Sequence, residues 1–346
     1  VEKHKLTPLS ELGEFGLIER LTHGFENHQP STFKGIGDDA AVLHLGQQAT
    51  VLSTDMLVEG IHFNLAYVPL KHLGYKAVAV NLSDIYAMNA TPTQITVSLA
   101  VSNRFSLEAL DELYQGIRMA CERHKVDLVG GDTCAAPAGM TLSITVLGQA
   151  PADELCYRSG AKPADLICVS GDLGAAYLGL QLLERERLLF QKEGIQPELS
   201  GYDYLLERQL KPEPRRDLLE ELRRLGIRPN AMIDVSDGLS SELLHLCKQS
   251  GLGCKVFEDK IPIDAMTEKV AKEFHLDPTL CALNGGEDYE LLFTLPLADY
   301  DKAQANPYFT LIGHMIEDPD LKVLVARDGT HLPLRAQGWN AFEHKA

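Results

Sequence analysis

Short carboxylates recur in this chain where apolar segments meet glycine, serine or threonine. The clusters are Gly37-Asp38-Asp39, Ser53-Thr54-Asp55, Asn81-Leu82-Ser83-Asp84, Gly130-Gly131-Asp132-Thr133 and Asp234-Val235-Ser236-Asp237-Gly238, and Gly285-Gly286-Glu287-Asp288 is similar in make-up. A carboxylate leaving water needs a counter-cation or several hydrogen-bond donors. Hard cations such as Mg²⁺ select oxygen ligands and keep waters while bridging to substrate phosphates, and the hydroxyls of Ser53, Thr54 and Ser236 are compatible extra ligands. Any one cluster reads as well as a turn or a helix cap, because Asp, Ser and Gly are the residues those features need. Six of them, all with apolar flanks, favour a shared metal site, although spacing alone does not show that they converge.

The charge balance bears on the same question. The formal net charge of -17 repels nucleic acid and anionic membranes, which are bound mainly through Lys and Arg. It repels a nucleotide as well unless cations intervene. No apolar run approaches the roughly 20 residues that span a bilayer. Behind Val1-Glu2-Lys3-His4-Lys5-Leu6 no secretory signal is visible, so the expected compartment is the cytoplasm. The seven cysteines are scattered without a C-x-x-C pair, which makes zinc and disulfide frameworks poor readings and small buried side chains the better one.

Several nucleotide-binding devices are missing. There is no G-x-x-x-x-G-K-[ST] and no protein-kinase signature set. Gly35-Ile36-Gly37-Asp38-Asp39-Ala40 can be forced onto a dinucleotide fingerprint, but no strand precedes it and two aspartates would face a pyrophosphate. Gly171-Asp172-Leu173-Gly174 could offer backbone N–H groups to a phosphate, but a plain strand-to-helix turn is the simpler reading.

The elements that must position these residues alternate. Helical periodicity is expected over residues 11–21, 70–88, 106–124, 175–189 and 240–250. Strands are expected over 40–43, 50–53, 94–101, 140–148, 165–170, 231–235 and 290–295, with a short buried strand at 127–129. The pattern predicts layered α/β architecture, with a boundary at 149–153 where a strand ends at a proline. Residues 191–214, charged and marked by prolines, read as an excursion rather than a core element.

As a set, the motifs resemble the thiamine-monophosphate kinase family. They are Gly-Ile-Gly-Asp-Asp-Ala-Ala-Val (35–42), Ser-Thr-Asp-Met-Leu-Val-Glu-Gly-Ile-His-Phe (53–63), Ala-Val-Asn-Leu-Ser-Asp (79–84), Gly-Gly-Asp-Thr (130–133), Arg-Ser-Gly-Ala-Lys-Pro (158–163), Ile-Asp-Val-Ser-Asp-Gly-Leu (233–239) and Gly-Gly-Glu-Asp-Tyr-Glu-Leu (285–291). Two of them, Gly-Gly-Asp-Thr and Asp-Val-Ser-Asp-Gly, also suit the wider aminoimidazole-ribonucleotide-synthetase (AIR synthase) superfamily. The resemblance implies a two-domain AIR-synthase-like α/β fold, with domains at 1–150 and 151–346 and a homodimer formed through the N-terminal sheet. It implies ATP and thiamine monophosphate as substrates, several Mg²⁺ ions, and thiamine diphosphate as product. By motif position, Asp39, Ser53, Thr54, Asp55, Asp84, Asp132, Asp234 and Asp237 would be metal ligands. Gly131, Asp132, Arg158 and Ser236 would face ATP, while His62, Glu287 and Trp339 would face the thiamine phosphate. Departures from the pattern fall at Tyr86, Asn89, Asn284 and the long 191–214 stretch, and none removes a carboxylate or the arginine.

With a phosphate monoester as acceptor, the attacking oxygen is already largely ionised and no general base is needed. The barrier is repulsion between anions, since two unit charges about 4 Å apart interact by roughly 4 kcal/mol at an effective dielectric of about 20. Direct in-line transfer without a phosphoenzyme is therefore expected. The competing readings are another ATP-dependent enzyme of the same superfamily and a non-catalytic nucleotide-binding assembly subunit.

Overall fold

The computed structural model describes residues 30–34, 37–44, 46–304 and 306–337. The helix expected at 11–21 and Trp339 lie outside them. Among the described residues the strands form two sheets, one in each half of the chain.

The first sheet comprises β1 (Thr32–Lys34), β2 (Ala41–His44), β3 (Ala49–Val58), β4 (Thr91–Val101), β5 (Asp127–Ala135) and β6 (Met140–Ala150), in the order β1-β2-β3-β6-β4-β5. Only the β4–β5 pair is parallel. Strand alternation gives the sheet two unlike faces. Val51, Leu57, Ile95, Val97, Leu99, Leu142, Ile144 and Val146 are buried on one. Thr54, Met56 and Ser98, on the other, are exposed.

Helix α1 (Leu70–Ala87) packs on the buried face, and α2 (Leu107–His124) packs on α1. Apart from its first turn and Asp84, α1 is buried all round, as a helix apolar on every side must be. Its contact with α2 is made backbone to backbone. A Cβ on Gly74 would stand 2.0 Å from the carbonyl oxygen of Leu113, and one on Gly116 would stand 1.9 Å from that of Lys71. Helix α1 also touches the second sheet at β8 (Ala231–Asp234), so it is the hub joining the two halves.

The second sheet runs β13-β12-β9-β11-β7-β10-β8. Beside β8 it contains β7 (Leu166–Ser170), β9 (Gly253–Phe257), β10 (Leu291–Leu295), β11 (Phe309–Ile316), β12 (Lys322–Val325) and β13 (His331–Pro333). Strands β7, β8 and β10 are buried along their whole length. The reason is that successive residues face two different cores. Leu166, Cys168, Met232, Leu291 and Phe293 join the core shared with the first half, whereas Ile167, Val169, Ala231, Ile233 and Leu292 join a second core under α6 (Leu239–Ser250). That arrangement explains runs that are apolar without alternation.

Two expectations need correction. The segment expected as a short buried strand at 127–129 is the nine-residue β5, exposed throughout, and Gly-Gly-Asp-Thr lies inside it rather than in a turn. β5 pairs on one side only, with β4, which leaves it at the sheet edge. The 191–214 stretch is not a mere excursion. It carries α4 (Asp203–Leu210), which packs on α3 (Ala175–Glu193) with Leu205 fully buried, and it supplies side chains to the site.

Candidate active site

Three carboxylates from distant segments converge. Asp39 precedes β2, Asp84 lies on α1 and Asp234 ends β8, and each offers an oxygen within 4.8 Å of the others. The α1 hub accounts for the meeting, because it lies between β3 and β8. Ser53, whose side chain points toward α1, donates to Asp84 over 2.5 Å. Ser83, one residue earlier on α1, donates to Asp234 over 2.6 Å. The Asp55 backbone N–H donates to Asn81 Oδ1 over 2.9 Å, which ties β3 to the same turn of the helix.

Among the described residues one cation faces this group. Arg158 meets Asp39 with two prongs, Nε to Oδ2 at 2.9 Å and Nη2 to Oδ1 at 2.8 Å. It does not balance the charge. Burial pushes Asp39 up to about 7 in spite of Arg158. Burial, then the charges of Asp55, Asp234 and Asp39, push Asp84 well above the carboxylate range. Asp234 is raised by burial too, with Ser83 and Arg158 opposing. The buried Asp39 and Asp234 and the half-buried Asp84 resist ionisation and present only oxygen donors, which fits a hard divalent cation.

Other expected ligands stand elsewhere. Thr54 points to the opposite face of β3, where it donates to the Ile144 carbonyl and accepts from Thr145 Oγ1, each over 3.1 Å. Asp132 is in register with Ser98, Ser143 and, at the far side, Met56. Three strand spacings separate it from β3, about 14 Å within one chain. Gly131 lies beside it on β5, where a Cβ would stand 1.9 Å from the Val97 carbonyl oxygen. Ser236 and Asp237 follow β8 in a turn held by buried Glu242, whose Oε1 accepts from the Asp237 backbone N–H over 2.9 Å.

A second locus forms beside α1. His62, whose Nδ1 accepts from the Val58 N–H at 3.0 Å, lines a small cavity with Phe63, Tyr67, Lys76, Leu180 and Gln209. Glu287 is held by two of these residues. Lys76 Nζ reaches Oε1 at 3.0 Å, and Gln209 Nε2 donates to Oε2 over 2.8 Å. The Glu287 loop is tightly turned, with positive φ at Gly286, Glu287 and Tyr289. At Gly286 a Cβ would stand 2.7 Å from the Ser236 carbonyl oxygen, so the loop closes directly over the Ser236-Asp237 turn.

Neither Lys76 nor Gln209 is marked by a motif. The one available signal for Lys76 is a charge inside an otherwise apolar helical stretch. Asp288, next to Glu287, takes the α3 N-terminus, accepting from the backbone N–H groups of Gly174 at 2.8 Å and Ala176 at 3.3 Å. The Gly171–Gly174 turn is therefore occupied by the protein's own carboxyl group.

Comparison with known proteins bears on the fold and the family. Residues 37–150 match the family described as AIR synthase related protein, N-terminal domain. The thiamine-monophosphate kinase of Bacillus subtilis (strain 168) is 34% identical over 343 residues, covering 96% of this chain and 100% of its own. That of Salmonella typhimurium is 37% identical, covering 96% and 98%. A solved structure described as AaThiL complexed with AMPPCP and TMP superposes with a TM-score of 0.80 at 31% identity, covering 95% of this chain and 97% of that one. The hydrogenase maturation protein HypE in complex with ATP, at 20% identity and a TM-score of 0.67, shares the fold. The relatives of known activity match nearly end to end, and the chain belongs to the thiamine-monophosphate kinase family.

Proposed function

We propose that this chain phosphorylates thiamine monophosphate with ATP to give thiamine diphosphate and ADP, by direct in-line transfer at a Mg²⁺ site built on Asp39, Asp84 and Asp234. The observation that carries the reading is the convergence of these three carboxylates within 4.8 Å, with Ser53 and Ser83 bound to two of them. Bound there, Mg²⁺ would supply charge neutralisation between two polyanionic phosphates. Asp55 stands near enough to raise Asp84 and Asp234 and adds a further carboxylate to the oxygen donor set. Arg158 is engaged by Asp39 in this state; its planar fork suits a nucleotide phosphate as well as a carboxylate.

The acceptor would lie between His62 and Glu287, on the side of α1 that faces α4. A phosphate monoester already carries its charge near neutral pH, so no residue needs to act as a base. The 1–150 and 151–346 divisions then act as two domains, with α1 reaching across to β8 and α4.

Gly131 and Asp132 lie about 14 Å along the sheet from β3 of the same chain. Among the described residues nothing covers the sheet face bearing Thr54 and Asp132, and Met56 on it is 54% exposed. A homodimer formed through the N-terminal sheet would cover this face and offer Asp132 to the site of the partner chain. The cytoplasm, where ATP and Mg²⁺ are abundant, is the expected place of work.

The test is an assay with thiamine monophosphate, ATP and Mg²⁺, following thiamine diphosphate by chromatography. Formation of that product with one ADP per turnover supports the reading, and ATP binding without product overturns it. Retention of configuration at a chiral terminal phosphate would refute direct transfer.

A further inference from the structure

The Glu287 clamp leaves one polar atom unused. Gln209 is 5% exposed and spends its amide N–H on Glu287, which a carboxylate acceptor requires of it. Its backbone carbonyl accepts from Lys76 Nζ over 3.0 Å. The side-chain oxygen Oε1, by contrast, is buried with no partner among the described residues. An unpaired buried acceptor is costly, so such an atom persists where something else supplies the donor. Gln209 lines the same cavity as His62 and Lys76, so that donor would come from whatever enters there.

We propose that Gln209 is a specificity-determining residue of the acceptor pocket, its Oε1 accepting a hydrogen bond from the exocyclic amino group of the acceptor's pyrimidine. The inference rests on the reading of thiamine monophosphate as acceptor and deepens it. The chemistry narrows the choice: with its phosphate ionised, that molecule has a single N–H donor group, the amino group on the pyrimidine. The two pyrimidine ring nitrogens can only accept, and the quaternary thiazolium nitrogen has neither an N–H nor a lone pair. Lys76 complements this edge. Its ammonium has three N–H bonds and two described partners, the Gln209 carbonyl and Glu287, so a donor stands beside the open acceptor. A donor next to an acceptor matches a ring nitrogen next to an amino group. Glu287, clamped at both oxygens, is held in place for the same ring.

The test compares kcat/KM for thiamine monophosphate with kcat/KM for its analogue bearing an oxo group in place of the amino group. The wild-type enzyme is expected to prefer the amino compound by about 100-fold or more, as sites built to bond a polar group do. Gln209→Leu removes both the amide oxygen and the Gln209 half of the Glu287 clamp. Gln209→Lys removes the oxygen but keeps an N–H donor for Glu287. Both variants are expected to lose at least about tenfold of that preference, with KM for ATP unchanged. A ratio of two substrates measured on one preparation is insensitive to the fraction of protein that folds.

If both variants keep the wild-type preference, the oxygen is satisfied by water and the proposal fails. It fails too if only Gln209→Leu loses the preference, because Gln209 would then act through Glu287 alone. A wild-type enzyme that makes no thiamine diphosphate would instead overturn the acceptor itself.

Discussion

Ser83 donates its hydroxyl hydrogen to Asp234 over 2.6 Å, although 151 residues of chain separate the two. Both are buried, one on α1 and the other at the end of β8. This bond fastens the hub helix to the second sheet at the carboxylate cluster. Ser83→Ala is expected to lower stability by about 1.5–3 kcal/mol, as loss of a hydrogen bond to a charged group does. Urea denaturation at pH 8 measures this, and an unchanged midpoint would show the bond to be dispensable.

Asp84→Asn separates stability from activity. Asp84 is held well above the carboxylate range by burial and by three neighbouring aspartates, so its charge opposes folding at neutral pH. An amide of the same shape removes that repulsion. Without divalent cations the variant is expected to melt a few degrees higher at pH 8, equivalent to about 1 kcal/mol in a chain of this size. Its turnover is expected to fall by about 1,000-fold or more, as when a group stabilising transition-state charge is lost. A variant that melts lower would refute the electrostatic account.

The pH dependence of the metal-free protein has a definite sign. Asp39 loses its proton near 3.8 as an ordinary carboxyl and near about 7 in the folded chain, and Asp84 and Asp234 shift in the same direction. The folded state holds these protons more tightly. Their stabilising contribution is therefore complete below pH 3.8 and is lost as the pH rises through about 7. Mg²⁺ binds the deprotonated form, so its stabilising effect is expected to be larger at pH 8 than at pH 5.5. Thermal melts with and without Mg²⁺ at the two pH values check this. An equal shift at both would mean that the cation binds elsewhere.

Subunit mixing tests the proposed shared site. Asp132→Asn and Asp234→Asn proteins are each expected to be inactive. If Asp132 serves the partner's cluster, dimers mixed after reversible dissociation recover one intact site in each heterodimer, about a quarter of wild-type activity for random pairing. Recovery of none, from dimers shown by mass spectrometry to have mixed, would place Asp132 with its own chain's carboxylates.

The chemistry of this protein is legible in its residues. Repeated Asp beside Gly, Ser and Thr at the ends of apolar segments point to oxygen ligation, and the motifs in their order identify the family. Local pattern also places most of the helices and strands near the carboxylate clusters, because hydrophobic periodicity is a property of neighbouring residues. Which clusters meet is decided by tertiary structure. Ser53 and Thr54 are adjacent in the motif, yet strand alternation sends one to Asp84 and the other to the open face of the sheet. Sequence shows that alternate residues diverge but does not show which face a helix will cover.

Asp132 looks equivalent to Asp39 by motif and is carried about 14 Å from β3 by a strand order that departs from chain order. Lys76 and Gln209 belong to no motif. They become partners of Glu287 because α1 and α4, distant in the chain, are packed against each other. Contacts of that range follow from how the two cores close around α1, and no local stretch of sequence carries that information.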